Sequence, residues 1–190
     1  MKRKIAISVM LVALVMTAAL IGSAQQQQLE PQDTTGLPAV SWKRGLALAP
    51  VPLNMEGKNR KAVGTGSYLV NAVQGCNDCH TNPPYVAGSD PFRGQTAQIN
   101  ATNYLAGGTH FGPFTSRNLT PEPPSGMPAG LTLDQFIEVM RTGRDFDNLH
   151  PQISPLLQVM PWPTFRNMTD DDLTSIYQYL SAIPHAETPK

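Results

Sequence analysis

Apolar positions along the chain follow three patterns in turn. Residues 1–24 read MKRKIAISVMLVALVMTAALIGSA: three basic residues (Lys2, Arg3, Lys4), an apolar or weakly polar run over 5–21, then the small residues Gly22 and Ala24. That order predicts a signal peptide cleaved after Ala24. The run also approaches the ~17–25 residues that cross a bilayer, so an uncleaved membrane anchor is the alternative. Residues 25–60 show neither helical nor strand periodicity. Pro31, Pro38, Pro50 and Pro52 predict an extended, semi-stiff tether or strap, with Trp42 as a candidate anchor on a partner.

Beyond residue 60 a helical period takes over in three proline-free windows. In the first, Tyr68, Leu69, Ala72, Val73 and Cys76 share a face. In the second, Leu133, Phe136, Ile137 and Met140 do so. Thr132 and Gln135 there form a capping box, Leu131 and Phe136 a hydrophobic staple, and Gly143 a stop. In the third, Leu173, Ile176, Tyr177, Leu180 and Ile183 line up behind the N-cap Thr169. Asp170, Asp171 and Asp172 sit where the helix dipole favours negative charge, and Met168 staples onto Leu173. The pattern predicts an all-α domain over 61–186, three main helices joined by Pro/Gly-rich loops, with no alternating β segment. A core this thin would gain from an apolar body to pack around.

Composition narrows the function. Formal net charge is zero and charged residues make up 15% of the chain, so nothing argues for nucleic acid as a partner. The 18 prolines and 15 glycines agree with short ordered pieces between loops.

Both cysteines fall in QGCNDCHTNPP, three residues apart and followed by His80. In an exported chain such thiols are oxidised or consumed, and a disulfide closing so short a loop is a poor staple. A thioredoxin-type dithiol would follow a strand and open a helix within a βαβ pattern, which is missing. A structural zinc site needs four ligands, and His110, His150 and His185 are scattered. Covalent haem c remains, because C-x-x-C-H is its attachment pattern. Cys76 and Cys79 would form the thioethers and His80 would bind the iron. For the second axial position Met160, on the proline-stiffened QVMPWPTF loop, is the first candidate. Met168, His150 or an open position are the alternatives. Met140 falls on an apolar helical stripe and Met127 in a loop tip.

Together GSYLVNAVQGCNDCHT, FGPFTSRNLTPE, QFIEVMRTGRD and MPWPTFRNMTDDDLTSIYQYLSAIP, covering 66–184, resemble a class I-like bacterial cytochrome c. More narrowly, they look like the haem domains in cytochrome subunits of membrane-associated dehydrogenases acting on alcohols, aldehydes or sugar acids. The resemblance implies a small cytochrome c fold, thioethers at Cys76 and Cys79, and His80 and Met160 as axial ligands. It also implies a crossing of first and last helices near Gly66, Tyr68 and Tyr177. The His80 ring is expected to be held by a backbone carbonyl, with Pro91 the first candidate. Arg117 and Asn118 are expected either at the haem propionates or in turn chemistry. Three features depart from the family: a single C-x-x-C-H motif, Leu131 where a tryptophan is expected, and the proline-rich tether in place of a compact N-terminus.

The expected function is single-electron transfer by an exported, periplasmic or membrane-anchored protein with one haem c and no catalytic residues of its own. Its partners would be a dehydrogenase catalytic subunit, an oxidase or another cytochrome. A fixed subunit of a dehydrogenase is the alternative to a tethered shuttle. A third reading, ligand binding or peroxidase-like chemistry, requires an open sixth position.

Overall fold

The computed structural model describes residues 39–146 and 154–190. The expected leader, residues 25–38 of the expected tether, and His150 lie outside the described residues. Among the described residues no helix is long and apolar enough to cross a membrane.

Part of the expected extended strap is helical. Residues Ala39–Leu48 form α1. The stretch between Pro38 and Pro50 is free of proline, and Trp42, Gly45 and Leu46 fall on one helical face. Ten residues are too few to hold a helix alone, so docking stabilises it. A Cβ on Gly45 would come within 1.9 Å of the Gly64 carbonyl oxygen, and one on Gly64 within 2.3 Å of the Trp42 carbonyl oxygen. Glycine facing glycine brings the two backbones together, a device that periodicity counts do not register.

The chain then reaches α2 (Arg60–Tyr68), whose N-cap Asn59 accepts from the amides of Lys61 and Ala62. A π-helical turn, Leu69–Val73, follows directly, with the Gln74 amide donating to the Leu69 carbonyl at 2.9 Å. The extra residue rotates everything after it. Val63, Gly66 and Ser67 ahead of it and Val70 at its start face the core, while Val73, expected on the buried face, is turned outward and 57% exposed. Gly75 turns through a left-handed conformation (φ 61°), and CNDCH forms its own short helix, α3 (Cys76–His80), rather than closing the first one.

A loop-rich stretch follows, with a 3₁₀ turn at Pro91–Arg93. Two antiparallel hairpins come next: β1 (His110–Phe111) with β2 (Phe114–Thr115), and β3 (Pro121–Glu122) with β4 (Met127–Pro128). Two-residue strands are too short to alternate, which is why the sequence pattern missed them. Helix α4 (Leu133–Thr142) carries the expected Thr132/Gln135 capping box and stops at Gly143 with φ 72°. A single turn, α5 (Trp162–Phe165), precedes α6 (Asp170–Leu180), which is boxed by Thr169 and Asp172. The domain is thus mostly helical with a few short strands.

Helices α2 and α6 cross where Gly66 meets Ser175: an added Cβ would lie 1.9 Å from the Ser175 carbonyl oxygen and 2.8 Å from the Tyr179 Cβ. Gly66 is at the crossing as expected, but its aromatic neighbour is Tyr179. Tyr177 instead donates to the Leu131 carbonyl at 2.9 Å and packs its ring on Phe136. Behind the crossing lies a buried polar cluster. Tyr104 and Tyr179 hydroxyls are 2.9 Å apart, Asn71 bonds both of them, and Ser67 donates to the Gly45 carbonyl at 2.7 Å. Gly66→Ala is expected to lower the free energy of unfolding in urea by ~1–3 kcal/mol, because the clash is with backbone that has no rotamer to escape through.

Candidate cofactor site

Between α3, the first hairpin, α4, the 157–161 loop and α6 lies a cavity of about 1380 Å³, its open mouth included. Its walls are mainly apolar, among them Val70, Leu131, Phe136, Val139 and Leu180. Cys76, Cys79, His80 and Met160 all line it. Four side chains chosen from the sequence, spread over 85 positions, therefore share one space.

His80 is fixed from behind. Its Nδ1 lies 2.8 Å from the Arg117 carbonyl oxygen, so Nδ1 carries the proton and donates. Nε2 is left with a lone pair for a ligand. Burial holds the ring below the ordinary histidine range; the hydrogen bond to the carbonyl opposes this and the Arg117 guanidinium adds to it. A neutral imidazole is the form that binds iron. The carbonyl does not come from Pro91, which sits exposed in the 3₁₀ turn.

The Arg117 peptide is itself placed by Gly107. Gly107 donates its amide to the His80 carbonyl at 2.7 Å and has φ 73°. A Cβ there would lie 2.6 Å from three backbone atoms of residues 116–118. Sequence reasoning passed over this residue; the Gly-Gly pair in YLAGGT is the signal that marks it.

The two thiols differ. Cys76 is half-buried and pushed up to about 12, chiefly by burial, with the neighbouring charges at Cys79 and Asp78 adding to the rise. Cys79 is exposed, and its thiol is raised more modestly by burial and by Asp78. Both are free rather than joined.

Of the methionines, Met140 and Met160 line the cavity. Met140 is 3% exposed and belongs to the core, as its helical stripe predicted. Met168 packs against the core away from the cavity wall, and its sulfur accepts from Gln74 Nε2. Met127 sits in β4. His110 is exposed and bonded to Thr115. Leu131, standing in place of the family's tryptophan, is buried and forms cavity wall.

Arg117 lines the cavity, its guanidinium lowered in pKa by burial and opposed by Asp145 and Glu122. Asn118 is occupied elsewhere. Its Oδ1 accepts from the Thr120 amide and hydroxyl, and its Nδ2 donates to the Ala186 carbonyl at 2.7 Å. This is the turn chemistry expected as one of its two roles, and it also ties down the segment after α6. His185 completes that tie through the Pro121 carbonyl at 2.9 Å.

The donor set fits one cofactor chemistry. Among the described residues no group of three or more His, Cys, Asp or Glu is arranged to hold a bare metal ion. What converges is two thiols, one imidazole nitrogen and one thioether on an apolar hollow, a set suited to a covalently tethered iron porphyrin. Comparison with known proteins points the same way. Over 122 residues, 64% of this chain, it is 30% identical to the fructose dehydrogenase cytochrome subunit of Gluconobacter japonicus. The chain is a distant homologue of dehydrogenase cytochrome subunits. It is also 31% identical over 142 residues, 75% of its length, to a nicotinate dehydrogenase subunit of Pseudomonas putida. It spans only 21% and 10% of these two relatives. No family model matches. For this cytochrome homologue, Gly107→Ala is expected to cost at least ~2 kcal/mol in urea unfolding, through left-handed strain and the collision with the Arg117 peptide.

Proposed function

We propose that this chain is an electron carrier holding one haem c, with Cys76 and Cys79 as thioether positions and His80 and Met160 as axial ligands. The observation that carries the reading is the convergence of those four side chains on one apolar cavity, with His80 Nδ1 already committed to a carbonyl. Bound there, the haem supplies a one-electron ferric/ferrous couple. The protein's own residues do the rest. His80 keeps its orientation through Arg117, the apolar walls exclude water, and Met160 offers a polarisable sulfur that favours the reduced state. Arg117, lining the cavity, is the side chain placed to meet a propionate. Electron transfer asks for no nucleophile–base arrangement from the polypeptide.

Partner and place follow from two supports. The relatives named above are a dehydrogenase cytochrome subunit and a dehydrogenase subunit, which favours a dehydrogenase as the electron donor and a lasting association with it over a free shuttle. The basic n-region and the apolar run over 5–21 support export to the periplasm, with the run either removed or kept as an anchor.

Native membranes run on a non-denaturing gel, stained for haem and resolved again under denaturing conditions test both levels. The stain is expected to stay with this chain and to comigrate with a larger subunit; an unstained chain would end the haem reading, and a stained chain migrating alone would favour the shuttle. Met160→Ala is expected to let ferrous protein bind carbon monoxide readily, whereas the parent does not. Ready binding by the parent would point to an open sixth position.

A further inference from the structure

The segment that carries Met160 has little structure of its own. Pro155 to Pro163 holds three prolines in nine residues and leads into a helix of a single turn. Its position comes from the end of α4, through contacts the ligand assignment does not use.

The first is a fork. Arg141, in the last turn of α4, sends Nη1 to the carbonyls of Arg166 and Met168, the second at 2.5 Å, and Nη2 to Asp170 Oδ1 at 2.6 Å. One guanidinium thus joins the C-cap of the Met160 turn to the first residue of α6. The Arg141 side chain is 29% exposed but the Asp170 carboxylate is 79% exposed, so the ion pair is open to water and the bond to the Met168 carbonyl is the part-buried one. The second contact is a seat. Gly143 has no side chain where the Trp162 indole lies, and a Cβ there would be 2.3 Å from Trp162 Cε2. Trp162 Nε1 donates to the Leu157 carbonyl at 3.1 Å, and the Leu157 amide donates to the Gly143 carbonyl at 2.7 Å. Between seat and fork, the Trp162 amide bonds the Met160 carbonyl at 2.8 Å.

We infer that Arg141 and Trp162 are positioning residues for the Met160 sulfur, holding its loop against α4 so that the sulfur stays at the iron. This rests on the His80/Met160 reading above. Neither side chain touches the metal; they act by making departure of Met160 require the loss of an ion pair, two carbonyl bonds and an indole contact together.

The test uses the haem-loaded protein and imidazole, which competes with methionine sulfur for ferric iron. In the parent, the sulfur-to-iron charge-transfer band at the red edge of the visible spectrum reports ligation directly. Arg141→Gln is expected to keep covalent haem and helical circular dichroism while lowering about tenfold the imidazole concentration that abolishes the band. Arg141→Lys is expected to fall between variant and parent, since an ammonium keeps the charge but not the fork. Trp162→Phe, which keeps an aromatic ring near the seat but loses the N–H and the five-membered ring that lies on Gly143, covers the case in which Arg141→Gln does not fold. It is expected to shift the imidazole midpoint in the same direction by a smaller factor. Unchanged midpoints in the folded variants would overturn the inference even if thermal stability fell, because a merely structural role lowers stability without moving ligand competition. A parent that lacks the band would overturn the Met160 assignment itself, and this inference with it.

Discussion

The peptide of Ser175 lies against the bare Cα of Gly66, and the rest of the domain depends on that approach. A domain that keeps an open apolar hollow among its helices gives up the side-chain packing that would ordinarily fill it. What remains must be won beside the hollow, where α2 and α6 come together at backbone distance and α1 is drawn onto α2 through Gly45 and Gly64. Close backbone contact leaves little freedom to slide.

The polar cluster behind the crossing adds direction to that contact. Asn71 sits within the π turn, so the extra residue there both swings Val73 outward and aims the amide at Tyr104 and Tyr179. Burial raises both phenols above their ordinary range, keeping them protonated as neutral donors and acceptors. The cluster joins α1, α2, the loop after α3 and α6 at one point. A hydrogen-bonded junction of this kind specifies a single arrangement where apolar packing alone would tolerate several.

Much of the site was legible because its chemistry is local in sequence. CNDCH stands out through spacing, Met160 through its prolines, α4 through a capping box and α6 through the N-cap Thr169, to which the structure adds a reciprocal bond from Asp172. What escaped depends on contacts between distant residues. The helix at Ala39–Leu48 follows from a glycine pair that only folding brings together. The shift of the apolar face after Leu69 follows from one inserted residue that propensity does not mark. The carbonyl that holds His80 comes from a residue 37 positions on, because Gly107 admits the Arg117 peptide where Pro91 was expected.

The segment after α6 places the far end of the sequence beside this machinery. Ala186 and Thr188 are bonded by Asn118, the immediate neighbour of Arg117, and Pro189 passes over Gly108, the neighbour of Gly107. For protein engineering, residues 185–189 are accordingly poor ground for trimming or for a closely fused affinity tag. A label there would pull on the two peptides that aim His80, although the CNDCH motif lies about a hundred residues away in sequence.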